Sequence, residues 1–482
     1  METQKNDETD EALDGLFVTF THAVLPRLDQ WITAGELWAD YYLRGDFEEN
    51  AYYRKMEQIP AFGGLLQKHL SDLLAMEETQ HCVEKHIQAG VLPVSTNGTD
   101  EAMQQAVLHL IIPLAESCKQ LHSLSLANLT DDQMLEQYHH CRVAWEDADS
   151  HFTITFPLIN FSSDMLQSWQ LGTRLFLAPL TSSDKTTLWN DDVKIFTFST
   201  PPLDATTFMQ LTWKLVGTFS APKKEDASDM GNTRQEALDE LGDTMNAMHL
   251  LKGGDVGSPA IYQKRLEPVL WEGTRMCYPL NQVRQFPSPF STYELHESDI
   301  APLQALVKVL QQVRSAQSRG VSALYGDLSV GLRRFNQSYE RRIPEDQIID
   351  LTIALESTLL ADRNEELTYR LAVRGAALLA DAEIPWEPRK SRALLTTMYD
   401  VRSRIVHGGL QLSDKDNLKK IRNLGMQSKD FLQQCEQIVR DVLKAYVQRR
   451  IRGQSVRQVN EDLEAHIMDG LGAQMSSTDV SQ

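Results

Sequence analysis

The residues best suited to chemistry are an arginine and a histidine five positions apart, Arg402 and His407. An imidazole titrates near neutral pH, so it can take or give a proton under working conditions. A guanidinium presents a planar fork of donors to phosphate oxygens and to the charge that develops on them. The two residue types together therefore suit transfer at an RNA phosphate without a metal ion.

Helix geometry limits how closely these two side chains approach each other. Four apolar residues around them recur at helical spacing: Leu394, Met398, Val401 and Ile405. They predict an amphipathic helix with one face against a core. Five residues of helix turn a side chain through about 500°, so Arg402 and His407 lie about 140° apart around the axis. They border one cleft more easily if the helix unwinds at His407, and Arg404 lies closer to the face of His407.

Arg402 and His407 also suit a purely structural role at the end of a helix. The double glycine Gly408-Gly409 predicts that the helix ends directly after His407. Basic side chains in a last turn interact favourably with the negative end of the helix dipole. From the residues alone, a structural role for Arg402 and His407 stands beside the catalytic one.

Other clusters of reactive side chains are weaker candidates. Cys82 and His86 lie four apart on a predicted helix beside His81, but no third and fourth metal ligand is evident. His139, His140 and Cys141 are consecutive, so their side chains point in different directions on a helix. The sequence has no P-loop, dinucleotide, zinc-protease, serine-hydrolase or EF-hand motif. We therefore expect neither a metal site nor a cofactor.

The composition excludes several classes of protein. The chain has 482 residues, of which 42% are hydrophobic and 24% charged, as in globular proteins of two to four domains. No apolar run approaches the roughly 18 residues of a membrane-spanning helix, and the acidic first residues are unlike a signal peptide. The five cysteines form no CxxC pair. These features predict a cytoplasmic protein without a membrane partner.

The net charge of −20 is unevenly distributed. Residues 1–300 hold 21 basic and 44 acidic side chains, whereas residues 301–482 hold 26 basic and 23 acidic ones. Residues 401–450 alone hold 11 basic and 5 acidic side chains. This asymmetry predicts that the C-terminal part meets an anion, although solvated helix faces would produce the same pattern.

The first half of the chain divides into three predicted parts. Residues 1–14 are interpreted as a disordered acidic leader, and residues 15–150 as a helical N-terminal region. Residues 151–297 form a β-rich, mixed region with a polar linker near residues 220–234. Strands are predicted there from alternation and turn residues, at residues 152–156, 169–177, 193–198 and 208–219.

Helical periodicity returns in the second half. Residues 298–452 predict a series of helices with breaks at Gly320, Pro344, Pro385 and Gly408-Gly409. Residues 453–482 are interpreted as the end of a helix followed by a flexible tail. The expected fold class is α+β and mainly α: an N-terminal helical region, a small central β-rich block and a C-terminal helical bundle.

The segment from Ser298 to Tyr446 resembles the C-terminal helical domain of Apea-like members of the HEPN superfamily. Four ordered stretches carry the resemblance: Leu332–Asn336, Asp346–Glu356, Glu366–Arg374 and Tyr399–Gly409. The last of them contains the RxxxxH motif as Arg402 and His407. Two residues at a fixed spacing occur often by chance, whereas four stretches in order at family-like distances are more specific. The resemblance implies a HEPN-type bundle that pairs with a second copy.

The resemblance also implies a site and a reaction. In catalytic members the arginine and histidine of both protomers form one cleft, which here means Arg402 and His407, with Ser403 and Arg404 as neighbours within the motif. Glu356 matches a glutamate often near that cleft, where it could orient an arginine or stabilise a protonated histidine; a helix-surface carboxylate is the alternative. The implied reaction is RNA cleavage by its own 2′-hydroxyl, leaving a 2′,3′-cyclic phosphate and a 5′-hydroxyl.

Three functions follow from these observations. The leading one is a metal-independent endoribonuclease that acts as a homodimer, with phage defence as the role that family context suggests. The second is an inactive HEPN module that binds RNA, a nucleotide or a protein partner. The third is a helical scaffold in which Arg402 and His407 only cap a helix. The acidic N-terminal region could repel RNA until an unidentified trigger or inhibitor acts there.

Overall fold

The computed structural model is mainly helical with a small antiparallel sheet, which confirms the expected mainly-α member of the α+β class. It describes residues 2–34, 39–48, 51–60, 69–92, 99–120, 129–147, 149–186, 188, 210–222, 228–258, 260–266, 276–279, 292–316, 326–341, 343–361 and 366–465. No helix within these residues combines the length and the apolar composition needed to span a bilayer.

We number the elements in chain order. The helices are α1 (Glu2–Thr33), α2 (Glu77–Gln88), α3 (Thr99–Gln120), α4 (Asp131–Glu146), α5 (Ser228–Leu251), α6 (Glu297–Ala316), α7 (Gly326–Glu340), α8 (Pro344–Leu359), α9 (Leu367–Asp381), α10 (Pro388–Gly408), α11 (Lys415–Asn423) and α12 (Ser428–Ile451). The strands are β1 (Ala39–Glu48), β2 (Ala51–Pro60), β3 (Asp149–Pro157), β4 (Phe161–Ser163), β5 (Trp169–Gln170), β6 (Leu175–Pro179), β7 (Trp213–Pro222), β8 (Ala260–Arg265), β9 (Met276–Pro279) and β10 (Tyr293–Leu295).

The chain forms two compact units that interleave along the sequence. The first unit comprises Met1–Pro157, Leu180–Ala237 and Ala260–Pro279. The second comprises Leu158–Pro179, Leu238–Pro259 and Leu280–Gln482. The second unit therefore contains helices α6 to α12, which include the segment with the RxxxxH spacing.

Four helices of the first unit share one apolar core. Phe17 and Phe20 of α1 are fully buried, as are Leu110 of α3 and Tyr138 of α4. The rings of Phe17 and Tyr138 stack with centroids 4.3 Å apart. Burying large apolar and aromatic side chains from every helix is what holds such a bundle together.

The structure corrects the interpretation of residues 1–14 as a disordered leader, because α1 begins at Glu2. Its acidic side chains have basic partners on α4: Asp10 lies 2.7 Å from Arg142, and Asp14 lies 2.9 Å from His139. Leu13 is buried at 4% exposure. An acidic segment therefore forms a helix here because it packs against α4, whose Arg142 and His139 pair with its carboxylates, and because Leu13 is buried.

The expectation of a helical region from 15 to 150 also needs a correction. Strands β1 and β2 form an antiparallel hairpin in which Ala39 pairs with Pro60 and Glu48 with Ala51. Aromatic residues are frequent in this stretch: Tyr41, Tyr42, Phe47, Tyr52 and Tyr53. Aromatic side chains favour strands over helices, and this signal outweighs the helical composition around it.

Strand β3 lies at the centre of the antiparallel sheet of the first unit. It pairs with β7 on one side and β8 on the other, and β9 pairs with β8. Phe152, Ile154 and Phe156 are buried, as their alternation predicts. In the second unit, the single strand predicted at residues 169–177 is divided into two short antiparallel strands, β5 and β6, and β6 continues to Pro179.

Two boundaries in the β-rich region differ from expectation. Strand β7 begins at Trp213 rather than at residue 208, and it continues to Pro222. Helix α5 then begins at Ser228, so β7 and α5 occupy most of the linker predicted near residues 220–234. The strand predicted at residues 193–198 lies outside the described residues.

Helix α8 is the central helix of the bundle in the second unit. It packs against α7, α10 and α12, and its Leu351, Leu355 and Leu359 are buried. Proline occupies the first turn of both α8 and α10, where a missing backbone N–H costs no hydrogen bond. The breaks predicted at Pro344 and Gly408-Gly409 coincide with the start of α8 and the end of α10.

The interpretation of residues 453–482 as a helix end and tail is corrected for part of its length. Residues 456–465 are helical, and Val459 and Leu463 are fully buried, four positions apart. Glu464 accepts hydrogen bonds of 2.6 Å from Arg370 and from the buried Arg374 of α9. These contacts hold the segment on the bundle. Residues 466–482 lie outside the described residues.

Candidate functional site

Helix α10 positions the predicted site by burying one face and ending abruptly. Leu394, Met398 and Val401 are buried at 2% exposure or less, so the apolar stripe does face the core. The helix ends where Gly409 adopts a left-handed conformation with φ of +61°. The N–H of Gly409 donates to the carbonyl of Ile405 at 3.2 Å. A glycine in this conformation is the common way to end a helix, since other residues are strained there.

Arg402 forms an ion pair with Glu356 of the neighbouring helix α8. Its Nη2 lies 3.2 Å from Glu356 Oε2, and the two side chains are 18% and 22% exposed. The Nε of Arg402 is buried without a hydrogen-bond partner among the described residues. The structure therefore brings together two of the predicted residues, and it holds the guanidinium through one carboxylate.

Tyr399 completes this group, although the sequence did not single it out as a site residue. Its hydroxyl hydrogen-bonds with Glu356, and the Arg402 guanidinium carbon lies 5.9 Å from the centre of its ring. Tyr399 precedes Arg402 by three residues, so the two share a helix face. That spacing was the signal that could have identified it.

Burial sets the electrostatics of the group. It raises the pKa of the Glu356 carboxyl, while the positive charge of Arg402 and the hydrogen bond from Tyr399 act in the opposite direction. Burial and the neighbouring Glu356 carboxylate both raise the pKa of the Tyr399 hydroxyl. We infer that Tyr399 stays neutral at neutral pH and serves as a hydrogen-bond donor to Glu356.

The other residues of the motif lie apart from this group. Arg404 Nη1 lies 3.7 Å from Asp416 Oδ2 of α11, and both side chains are more than a third exposed. Ser403 is half-buried, and His407 is exposed in the last turn of α10. The helix continues through His407, so the unwinding that would ease its approach to Arg402 does not occur. Within one chain, Arg402 and His407 keep their separation of about 140° around the axis.

The pair Cys82 and His86 has a structural role. Cys82 and His86 are fully buried in the core of the first unit. His86 Nδ1 lies 2.8 Å from the carbonyl oxygen of Cys82, and its Nε2 lies 2.7 Å from the hydroxyl of Tyr138. Among the described residues, no group of three or more His, Cys, Asp or Glu side chains is arranged to hold a metal ion.

Comparisons of the chain with protein-family models, with curated proteins and with solved structures find no match. The chemistry of the site is therefore argued from its geometry. A held arginine beside a neutral tyrosine can bind a phosphate oxygen, and an exposed imidazole at the same end of α10 can exchange a proton with water or a substrate. The guanidinium of Arg402 and the imidazole of His407 lie on different sides of α10, near its C-terminal end.

Proposed function

We propose that the chain is a metal-independent endoribonuclease of the HEPN type. The observation that carries the proposal is the Glu356–Arg402 pair, 3.2 Å apart, on the helix that ends at the exposed His407. A fixed, charged guanidinium gives a phosphate a preorganised partner without further loss of side-chain entropy. The resemblance at Tyr399–Gly409 supplies the reaction class.

The chemistry assigned to each group is as follows. The 2′-oxygen of RNA attacks the adjacent phosphorus as its proton leaves, the bond from phosphorus to the 5′-oxygen breaks, and that oxygen gains a proton. The products are a 2′,3′-cyclic phosphate and a 5′-hydroxyl. In this proposal His407 exchanges a proton with one of these oxygens, and Arg402 stabilises the negative charge on the phosphate oxygens. Glu356 is a positioning residue for Arg402.

A homodimer is part of the proposal, because one chain does not turn both groups to the same side. With about 140° between Arg402 and His407, a second copy facing the end of α10 would place one copy's imidazole near the other's guanidinium. His407 and Val406 are exposed there, and Val406 is 46% exposed. An exposed apolar side chain next to the motif is consistent with a contact between copies.

An inactive module that binds RNA, a nucleotide or a protein partner is the second candidate. The same divergence of Arg402 and His407 favours it, since a single chain with this geometry offers a guanidinium to an anion but no proton-transfer group on the same side. The ion pair between Arg402 and Glu356 is also consistent with a structural or binding role. The two candidates differ in whether RNA is cut, rather than in whether it is bound.

The setting of the activity is proposed from the charge distribution and from family context. We place the protein in the cytoplasm, and we assign it to phage defence by family context alone. Residues 1–300 hold 44 acidic and 21 basic side chains, so they would repel RNA. A trigger or inhibitor that acts on this region would then control access to the C-terminal bundle.

The proposed function is tested with purified full-length protein and total cellular RNA in EDTA. Three proteins are compared: the wild type, His407→Ala, and His140→Ala as a control at another exposed histidine. We expect cyclic-phosphate ends from the wild type and from His140→Ala, and none from His407→Ala. Equal cutting by all three proteins would exclude His407 as the catalytic group. RNA binding without cutting by a folded wild-type dimer would favour the inactive module.

A further inference from the structure

We propose that helix α11 carries a phosphate-binding surface that holds the backbone of single-stranded RNA beside the end of α10. The surface consists of Lys415, Lys419 and Arg422, which we call the basic stripe. This inference rests on the proposed function for its choice of RNA. It adds three residues that the RxxxxH motif does not contain.

The three side chains of the basic stripe share one face of α11. Their spacings of four and three place Lys419 and Arg422 within about 40° of Lys415 around the helix axis. All three are exposed, whereas Asn417 and Ile421 are buried about 200° and 240° around the axis from Lys415. The stripe thus points away from the core and extends about 10 Å along the helix.

The remaining charges of α11 are used for packing against α10. Lys420 pairs with Asp400, and Asp416 pairs with Arg404. Both lie on a side of the helix that is about 100° to 140° from Lys415. No residue of the described part of the chain forms an ion pair with the basic stripe. Three cations on one face therefore keep their charge available for an external anion.

The ion pairs to α10 also place the stripe near His407. Only seven residues separate His407 from Lys415, and that connection is held by hydrogen bonds. Glu345 of α8 accepts from the backbone N–H of Leu412 at 2.6 Å, and Asn417 donates to the carbonyl of Gln411 at 2.8 Å. The end of α10 and the start of α11 are thus joined by a short connection that hydrogen bonds hold in place.

A hollow extends the surface beyond Arg422. It has a volume of about 480 Å³ and lies where α11 ends and α12 begins. Its polar lining includes Arg422, Gln427, Ser428 and Lys429. A space of this size is comparable with small-molecule sites of about 300–1,000 Å³, so it could accept one nucleotide at the end of the stripe.

The chemistry of the helix favours RNA over a membrane surface. Helices that bind membranes expose large apolar side chains beside their basic ones. No apolar residue of α11 is exposed, since Leu418 is half-buried and Ile421 is buried. A row of cations with no exposed apolar side chain on the same helix matches a polyanion that stays in water, and backbone phosphates repeat along such a polymer.

The test measures RNA binding in a background that cannot cut. Full-length His407→Ala is compared with the same protein carrying Lys415→Gln, Lys419→Gln and Arg422→Gln. A matched control carries Arg389→Gln, Lys390→Gln and Arg392→Gln, which remove three exposed charges at the other end of α10. The probe is a fluorescein-labelled single-stranded RNA of about 20 nucleotides, titrated at salt concentrations from roughly 0.05 to 0.5 M.

We expect the stripe variant to raise the Kd at least about ten-fold at 0.1 M salt. The slope of log Kd against log salt should fall by about 2, because each lost phosphate contact removes about 0.7 on a single strand. The α10 control should change neither quantity appreciably. Equal losses in both variants would show a general effect of net charge and overturn the proposal, as would unchanged binding by the stripe variant.

Two further results keep this inference separate from the proposed function. If wild-type protein does not cut RNA but the stripe variant loses RNA binding, the ribonuclease proposal fails and the RNA-binding surface stands. If wild-type protein cuts RNA and the stripe variant binds it normally, the proposed RNA-binding surface is wrong and the ribonuclease proposal stands. Vesicles containing phosphatidylserine are the second probe, and a loss restricted to vesicle binding would assign the stripe to a membrane surface and overturn the proposal.

Discussion

Glu356 and Arg402 meet across two helices although 46 residues separate them in the sequence, with Oε2 and Nη2 3.2 Å apart. Both side chains are less than a quarter exposed, so the pair lies mostly out of water. A charge in such a place is stable only with its partner, because removing one leaves the other desolvated and unpaired. The pair therefore couples α8 to α10 and fixes the guanidinium at the same time.

A double-mutant cycle measures this coupling. We expect Glu356→Gln and Arg402→Gln each to lower the free energy of unfolding by about 1–3 kcal/mol, and the double variant to lose less than the sum. The coupling energy should be about 1–2 kcal/mol, measured by urea unfolding followed by tryptophan fluorescence. Additive losses would show that the two side chains are not energetically coupled. If RNA is cut, Glu356→Gln should slow the cutting while RNA binding is retained.

Gly409 is expected to be the more sensitive of the two adjacent glycines. Its φ of +61° disfavours any side chain, so Gly409→Ala should cost about 1 kcal/mol of stability. Gly408→Ala is the control, since its added Cβ would meet only the Leu410 side chain, with Cγ at 3.6 Å and Cδ1 at 3.9 Å, which are ordinary contact distances. We expect that change to lie within about 0.5 kcal/mol of the wild type in thermal unfolding. Equal effects would contradict the left-handed cap.

Asp243 on α5 predicts a pH dependence of stability. Burial raises the pKa of its carboxyl to about 6, with Asp239 and Glu240 adding to the rise and Arg314 opposing it. The folded protein then binds this proton more tightly than the unfolded chain. Its contribution to stability is complete below about pH 4 and is lost as the pH rises through 6. The unfolding free energy of the wild type relative to Asp243→Asn should therefore fall by roughly 2 kcal/mol from pH 4 to 7. A difference that stays constant over this range, in urea titrations at each pH, would count against the assignment.

Gly375 allows α9 and α10 to approach each other closely. A Cβ at this position would lie 2.7 Å from Cδ1 of the fully buried Leu395. We expect Gly375→Ala to destabilise the protein by about 1–3 kcal/mol in spite of its better helix propensity. Gly242→Ala in α5 is the matched control, because no heavy atom lies within 4 Å of its added Cβ. That variant should gain roughly 0.5–1 kcal/mol of stability. A gain in stability at both sites would show that α9 and α10 are not closely packed at Gly375.

The elements predicted correctly are those whose signals are local. Pro344 marks the start of α8, and Gly408-Gly409 marks the end of α10, because proline and glycine restrict or free the backbone wherever they occur. The alternation of Phe152, Ile154 and Phe156 predicts a strand for the same reason, since it reflects the two-residue period of the backbone.

The elements that were missed depend on distant partners. In the first helix, Asp10 and Asp14 of α1 contact Arg142 and His139 of α4, and the segment at 456–465 is held by Glu464 against Arg374. In a sequence such segments have the composition of flexible, charged termini. Only the folded chain brings the opposite charges and the apolar contacts to them.

The sequence by itself determined the RxxxxH spacing of Arg402 and His407, the helix that carries them and the glycines that end it. The angle of about 140° between the two side chains follows from that helix alone. Tertiary structure decided that Glu356 pairs with the guanidinium and that His407 stays in solvent. The reason is physical: a pairing across 46 residues depends on how α8 packs against α10, and that packing is set by the buried faces of the whole bundle rather than by the residues next to the motif.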